Sequence, residues 1–259
     1  MIEIQNRENV PARNMPIHNE YIQQSSADVN GILAQKGAGK SSTMFGVDSE
    51  EGILFQSMKY ILNNQIPIRV SFIEIDGNGK YDLSNGKIPL TKKDSANQIS
   101  IVSSEQFQIL VNASLELRST KSTDQNNVSS RSHYFVLCMN ENERFLMFGD
   151  LAGFECAKNK VDSCETKFIN STLSDLNTML NHISKGHSFS GKATSLTSFL
   201  EPYLKRCNEI TIMYHVMNSA LRKGLEYIKD IAAKTTTAKL KREARMPLTN
   251  LTNKKSKAA

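Results

Sequence analysis

A glycine-rich loop between an apolar segment and a helix carries the first residues that could do chemistry. Residues 34–41 read AQKGAGKS, and the phosphate-binding Walker A pattern is G-x-x-x-x-G-K-S/T. Gly39, Lys40 and Ser41 match this pattern, whereas Ala34 stands at its first glycine. In such a loop the backbone N–H groups and the helix N-terminus hold phosphate oxygens, the lysine reaches the β- and γ-phosphates, and the hydroxyl holds Mg²⁺. The plainer alternative is a glycine-rich turn with a chance lysine, because G-K-S is a common sequence.

Two segments further along the chain could complete such a site. Residues 150–155 read DLAGFE directly after the apolar run Phe145–Phe148. An aspartate at the end of a buried strand beside a phosphate loop is the usual Mg²⁺ ligand, which makes Asp150 a candidate. The backbone N–H of Gly153 could point at a γ-phosphate. Residues 126–133 read NNVSSRSH, which taken alone is a solvated, serine-rich loop.

The three segments together resemble the motor domain of kinesins. NNVSSRSH is similar to the switch I motif N-x-x-S-S-R-S-H at every fixed position, and DLAGFE resembles the switch II motif D-L-A-G-S-E with Phe154 in place of serine. AQKGAGKS resembles the kinesin phosphate loop G-Q-T-x-S-G-K-T. Connecting segments such as FIEIDGNGKYDLS, INSTLSDLNTMLNHI and TSLTSFLEPYL resemble the family in the same order. The resemblance runs from about Tyr21 to Lys234.

The resemblance implies a site for ATP or ADP with Mg²⁺. The nucleotide-binding residues it implies are Gln35, Lys36, Gly37, Ala38, Gly39, Lys40, Ser41 and Ser42. The Mg²⁺ ligands it implies, direct or through water, are Ser41, Ser130 and Asp150. The residues it places around the γ-phosphate and the attacking water are Asn126, Ser129, Arg131, Gly153 and Glu155. Among these, Arg131 and Glu155 would form the salt bridge that closes switch I on switch II.

Composition bounds the partners and the compartment. The chain has 259 residues, 39% of them hydrophobic and 22% charged, which fits one ordinary globular domain. No apolar run is long enough to span a bilayer, and the N-terminus lacks the apolar region of a signal peptide. The net charge of +6 favours a polyanionic partner. The resemblance selects the microtubule (tubulin), with a partner kinesin chain as a second candidate, and it implies a cytoplasmic, cytoskeletal protein of microtubules or the spindle. A membrane partner is not expected, nor is nucleic acid, because no aromatic-rich basic patch is present.

Strands alternating with helices predict an α/β fold that positions these segments. The fold expected is a P-loop NTPase with a kinesin-motor-like mixed sheet, helices on both faces, and the N-terminal strand or strands missing. Apolar alternation and helical spacing predict strands at 30–33, 69–75, 134–139, 144–148 and 210–217, and helices at 104–118, 166–183, 196–204 (interrupted at Pro202) and 221–234. The domain division expected is a flexible N-terminus at 1–16, the motor-like domain at 17–234, and a basic flexible tail at 235–259.

Departures from the family pattern leave two functions open. In the first, the chain is a reduced motor that binds ATP with Mg²⁺ and hydrolyses it, because the charged and hydroxyl residues of both switch segments are retained. In the second, it is a noncatalytic motor-homology subunit that binds microtubules or a partner motor. Ala34, Lys36 and the missing N-terminal strand favour the second function.

Overall fold

The computed structural model describes residues 27–34, 39–91, 94–119, 131–153, 164–187, 194–207 and 209–215. These residues form five helices and ten strands. The helices are α1 (Lys40–Phe45), α2 (Ile53–Asn63), α3 (Ser104–Ser119), α4 (Cys164–Ser184) and α5 (Ser195–Arg206). The strands are β1 (Ala27–Ala34), β2 (Gly46–Val47), β3 (Glu50–Glu51), β4 (Ile68–Asp76), β5 (Gly79–Asp82), β6 (Ile88–Leu90), β7 (Ile99–Ile101), β8 (His133–Asn140), β9 (Phe145–Asp150) and β10 (Glu209–His215).

Eight of the strands make one mixed sheet, as the sequence predicted. Its order is β10-β1-β9-β8-β4-β5-β6, with β7 paired to β4 beside this path. Strand β1 is parallel to both β9 and β10, while β8 pairs antiparallel with β9 and with β4. Among the described residues β10 is the last strand on its side of the sheet, and residues 1–26 lie outside the description.

Side chains that alternate along the central strands build a separate core on each face of the sheet. In β8, Phe135 and Leu137 belong to the core under α4 and α5, whereas Val136 and Cys138 belong to the core under α1, α2 and α3. Strand β4 divides in the same way between Ile73 on one face and Phe72 on the other. The prediction of helices on both faces of a mixed sheet is therefore confirmed.

Two details of the sequence prediction differ from the structure. Helix α5 runs without interruption from Ser195 to Arg206, although Pro202 lies inside it. Pro202 is exposed, so the carbonyl that loses its N–H partner there lies on the solvent side. The second difference is α2, which the prediction passed over. Its buried residues Leu54, Met58 and Ile61 have the helical spacing that would have revealed it. The expected helix at 221–234 lies outside the described residues.

Candidate functional site

Parallel pairing of β1 with β9 brings the phosphate-loop helix beside the second motif. Ile32 lies opposite Asp150 in the strand register, so both strands end at the same edge of the sheet. Gly39 turns the chain into α1 with a φ of 88°, a left-handed conformation that favours glycine. The Ser41 hydroxyl then donates to the Asp150 carboxylate, with Oγ 3.3 Å from Oδ2. Residues remote in sequence meet here through sheet topology alone.

A third charged residue, Arg118, lies against the same carboxylate. Its Nη1 is 2.9 Å from Asp150 Oδ2, and its side chain is only 3% exposed. Two further donors of Arg118 bond the residue before β8, since Nε donates to the Ser132 hydroxyl at 3.1 Å and Nη2 donates to the Ser132 carbonyl at 2.7 Å. The guanidinium of Arg118 therefore connects the end of α3 to Ser132 before β8 and to Asp150 at the end of β9.

The carboxylate of Asp150 lies close to two buried cations. Lys40 is 6% exposed and Asp150 is fully buried, and desolvation by burial lowers the pKa of Lys40, against a smaller raising effect of Asp150. Lys40 and Arg118 are thus two buried cations near one carboxylate, and buried charges are stable only where they are paired. Lys40 is the first residue of helix α1, the position at which a phosphate loop holds the lysine that reaches the phosphates.

The donor set also fits a hard cation beside the anion. Asp150 Oδ1 is buried and has no hydrogen-bond partner among the residues that the structure describes. The Ser41 hydroxyl lies against the other oxygen of the same carboxylate. Carboxylate and hydroxyl oxygens are ligands that Mg²⁺ accepts, alongside phosphate oxygens and water. The residues present are therefore compatible with Mg²⁺ bound together with a phosphate chain.

The ring of the buried Tyr134 packs against the guanidinium of Arg118. The guanidinium carbon lies 5.4 Å from the centre of the Tyr134 ring, and the Tyr134 hydroxyl is 2.6 Å from Ser114 Oγ. Phe45, at the end of α1, meets the same ring edge-on with centroids 5.9 Å apart. Burial raises the pKa of Tyr134, so the phenol stays neutral. The phosphate-loop helix, α3 and β8 share this one ring.

His133, the residue before Tyr134, forms hydrogen bonds on the opposite face of the sheet. The Ala152 N–H donates to its Nδ1 at 3.2 Å, and its Nε2 is 3.2 Å from Thr172 Oγ1 on α4. Because a backbone N–H can only donate, Nδ1 carries no proton and the neutral ring is protonated at Nε2. The Thr172 hydroxyl can accept a hydrogen bond from Nε2–H, because it donates its own hydrogen to its helix. Thr172 Oγ1 lies 3.0 Å from the carbonyl oxygens of Phe168 and Ile169.

Protonation of His133 should make the protein pH-sensitive. Burial, together with the Arg118 charge, lowers the pKa of His133 from 6.5 to about 3. Between pH 6.5 and pH 3, His133 binds a proton in the unfolded chain but stays neutral in the folded chain. The free energy of unfolding therefore falls as the pH falls through this range. We expect the free energy of unfolding to drop by about 2 kcal/mol more between pH 7 and pH 5 than it does in a His133→Gln variant. Urea titrations at both pH values measure this difference, and equal drops in both proteins would contradict it.

The structure describes only part of the predicted site. It brings together Lys40, Ser41 and Asp150, and it places Gly39 at the start of α1 and Gly153 buried three residues beyond Asp150. Ser42 lies in the first turn of α1, and Arg131 is exposed beside Ser132. The other predicted residues lie outside the described ranges, so their roles stay predictions: Gln35, Lys36, Gly37, Ala38, Asn126, Ser129, Ser130 and Glu155.

The sequence prediction missed three residues that the structure places in the site: Arg118, Tyr134 and His133. For Arg118 a signal was present. It continues the buried stripe of α3 through Phe107, Val111 and Ser114, at spacings of four, three and four residues. A charged residue on an apolar stripe indicates a buried partner. His133 is the last fixed position of the NNVSSRSH motif, but the motif assigned it no role. No signal marked Tyr134, because strand residues are expected to be buried.

The mixed sheet, helix α1 after strand β1, and the cluster of Lys40, Ser41 and Asp150 define the P-loop class of α/β proteins. Comparison with known proteins narrows the class, because the chain matches the kinesin motor domain family over residues 30–226. This chain belongs to that family.

Individual relatives agree with the assignment. The chain is 29% identical over 211 residues to Protein claret segregational of Drosophila melanogaster, matching 70% of this chain but only 30% of that protein. Among solved structures, a KIF14 dimer with AMP-PNP in complex with a microtubule superposes with a TM-score of 0.68 at 22% identity, covering 86% of this chain and 74% of that one. Drosophila Kin10/NOD with divalent manganese and ADP gives 0.66 at 19% identity, covering 88% and 80%.

Proposed function

We propose that this chain is a divergent kinesin-like motor protein that binds ATP or ADP with Mg²⁺, hydrolyses ATP, and couples the movement of its two switch segments to microtubule binding. The observation that carries the proposal is that the Ser41 hydroxyl and the buried Lys40 lie beside the buried carboxylate of Asp150 at one edge of the sheet. This is the edge where P-loop proteins hold the phosphate chain of a nucleotide.

The proposed roles rest on the resemblance to the kinesin motifs and, for Lys40, Ser41 and Asp150, on their positions at one edge of the sheet. Lys40 and the loop 35–42 would hold the phosphates, while Ser41, Ser130 and Asp150 would hold Mg²⁺. Bound Mg²⁺ would neutralise charge on the phosphate oxygens. Arg118 keeps Asp150 and Ser132 in fixed positions around this place.

Switch closure and partner binding complete the proposal. Asn126 and Ser129 would position the attacking water, the Gly153 N–H would meet the γ-phosphate, and Arg131 would pair with Glu155 to exclude solvent. The structures of KIF14 with AMP-PNP and a microtubule, and of NOD with manganese and ADP, support the same ligands and a tubulin partner for this chain. The site of action would be the microtubule cytoskeleton. No helix among the described residues is long and apolar enough to cross a membrane.

A noncatalytic motor-homology subunit that binds microtubules or a partner kinesin is the second candidate. One observation favours it: Arg118 already supplies Asp150 with a positive charge at 2.9 Å, which reduces the need for a metal ion. The argument from Ala34 is weakened by the structure. Ala34 is the last residue of strand β1, where the backbone is extended and a β-carbon is acceptable.

Replacing Lys40 tests nucleotide binding. Lys40→Ala should weaken the binding of Mg·ADP by about 10- to 150-fold, the equivalent of the roughly 1.5–3 kcal/mol of a charged hydrogen bond. Calorimetry measures the affinities. Lys59→Ala is the matched control, because Lys59 is an exposed lysine whose ion pair with Glu51 lies on the surface, and its affinity should equal that of the unmutated protein. If the unmutated protein binds neither ATP nor ADP with Mg²⁺, the proposal is rejected in favour of the noncatalytic subunit.

ATP turnover with and without microtubules separates the two functions once nucleotide binding is established. A motor should turn over ATP faster with microtubules present. A protein that cosediments with microtubules, or with a partner kinesin, but shows no turnover would be the noncatalytic subunit.

A further inference from the structure

His133 lies at the start of β8, next to Ser132, which belongs to the candidate site. Ser132, the residue before it, holds Arg118 and through it Asp150. His133 turns to the other face and holds the Ala152 N–H, next to Gly153. The consecutive residues Ser132 and His133 therefore contact the end of β9 and the segment after it from opposite faces of the sheet. Ser132 does so through Arg118, and His133 does so directly.

The second nitrogen of the His133 ring, Nε2, forms a hydrogen bond to helix α4. The Nε2–H donates to Thr172 Oγ1, which is fully buried and is fixed by its own bonds to the helix carbonyls. Phe168, one turn earlier, lies against the same imidazole with ring centroids 6.3 Å apart. Phe168 also packs over the β4–β5 turn, where a β-carbon on Gly77 would lie 3.7 Å from its ring. This part of α4 is thus anchored around the imidazole.

We propose that His133 is a positioning residue that connects the Ala152–Gly153 backbone to helix α4, so that a shift of Gly153 reaches α4 through one imidazole ring. The coupling to nucleotide rests on the proposed function, whereas the mechanical connection does not. The connection requires a neutral ring with its proton on Nε2, because any other state replaces one of the two hydrogen bonds by a donor–donor contact.

Two substitutions separate the arms of the connection. His133→Asn places an amide oxygen near the position of Nδ1, so it can keep the bond from Ala152 and lose the bond to Thr172. His133→Gln places its amide near Nε2 and does the reverse. Thr172→Val removes the acceptor of the Nε2–H hydrogen bond on α4 without changing the size of the side chain. Thr178→Val is the matched control, because Thr178 lies on the same helix, is exposed, and bonds only its own helix carbonyl at Ser174.

The first experiment needs no nucleotide. Nitrogen-15 NMR of the imidazole should show the proton on Nε2 in the folded protein. Hydrogen exchange of the Ala152 amide should accelerate by roughly five- to tenfold in His133→Gln, since one neutral hydrogen bond shifts an equilibrium by about that factor. It should also accelerate in Thr172→Val, although Thr172 does not touch Ala152, and stay unchanged in Thr178→Val. A ring protonated on Nδ1, or an Ala152 amide that is insensitive to Thr172→Val, would overturn the connection.

The second experiment measures exchange across residues 167–183 of α4 with and without Mg·ADP. In the unmutated protein nucleotide should change the exchange of this segment. In His133→Asn and Thr172→Val, each measured at a saturating concentration of Mg·ADP, that change should shrink by about threefold or more, on the same energetic grounds. An undiminished change in both variants would refute coupling through His133. If the unmutated protein binds no nucleotide, the proposed function fails and the NMR experiment alone decides the role of His133.

Discussion

Arg118→Met should lower the free energy of unfolding by about 3–5 kcal/mol, the usual cost of breaking a buried ion pair from one side. The reason is geometric. Asp150 is fully buried, and the guanidinium that neutralises its Oδ2 at 2.9 Å also donates to both oxygens of Ser132. Methionine fills much of the same volume but supplies none of these donors. Urea denaturation of the two proteins measures the loss.

Two further variants show whether the loss comes from the pair itself. Asp150→Leu combined with Arg118→Met removes both charges of the pair, and it should recover part of the stability because the carboxylate that lost its guanidinium is gone. The recovery should be incomplete because the buried Lys40 then loses the favourable charge of Asp150. Lys205→Met breaks a surface pair with Glu201 at positions i and i+4, which should cost less than about 0.5 kcal/mol. If Arg118→Met costs no more than Lys205→Met, Arg118 does not hold the site together.

Most of the fold could be predicted because its central strands and helices carry strong periodic patterns. Apolar alternation predicted β8 and β9 to within two residues of their observed bounds, and the apolar stripe of α4 predicted that helix to within two residues at each end. The prediction failed where a local rule lost to tertiary context. Pro202 was expected to interrupt α5, yet the helix continues because the affected turn faces solvent.

The site could be predicted only where motif and topology coincide. Lys40, Ser41 and Asp150 were expected to meet, and parallel pairing of β1 with β9 brings them together. The contacts of Arg118 could not be predicted because they cross 32 residues of sequence to Asp150, and no local pattern encodes such a pair. The same holds for His133 and Thr172, separated by 39 residues. Sequence motifs identified Lys40, Ser41 and Asp150, whereas the residues that hold these groups in place depend on packing.

Reversing the charge of Arg131 or of Glu155 should slow ATP hydrolysis by about 100-fold, while nucleotide affinity changes little. If these residues pair when ATP is bound, their contact closes the pocket around the attacking water, and a small loss of alignment costs about that factor. Arg131 is exposed next to Ser132, which Arg118 fixes in place. Its expected partner, Glu155, lies outside the described residues. Single-turnover hydrolysis of Arg131→Glu, Glu155→Arg and the double variant measures the effect.

The double variant separates a closure contact from a direct role in chemistry. If the pair mainly holds the switches together, exchanging the two charges restores the contact and should recover part of the rate. If Arg131 itself faces the phosphate, the exchange should recover nothing, because a carboxylate there repels the nucleotide. Glu143→Arg is the matched control, since Glu143 forms a long surface pair with Arg206 at 3.9 Å and should leave hydrolysis unchanged. Should both single variants turn over ATP like the unmutated protein, the retained switch residues do not work as a closure, and the noncatalytic subunit becomes the better description of this chain.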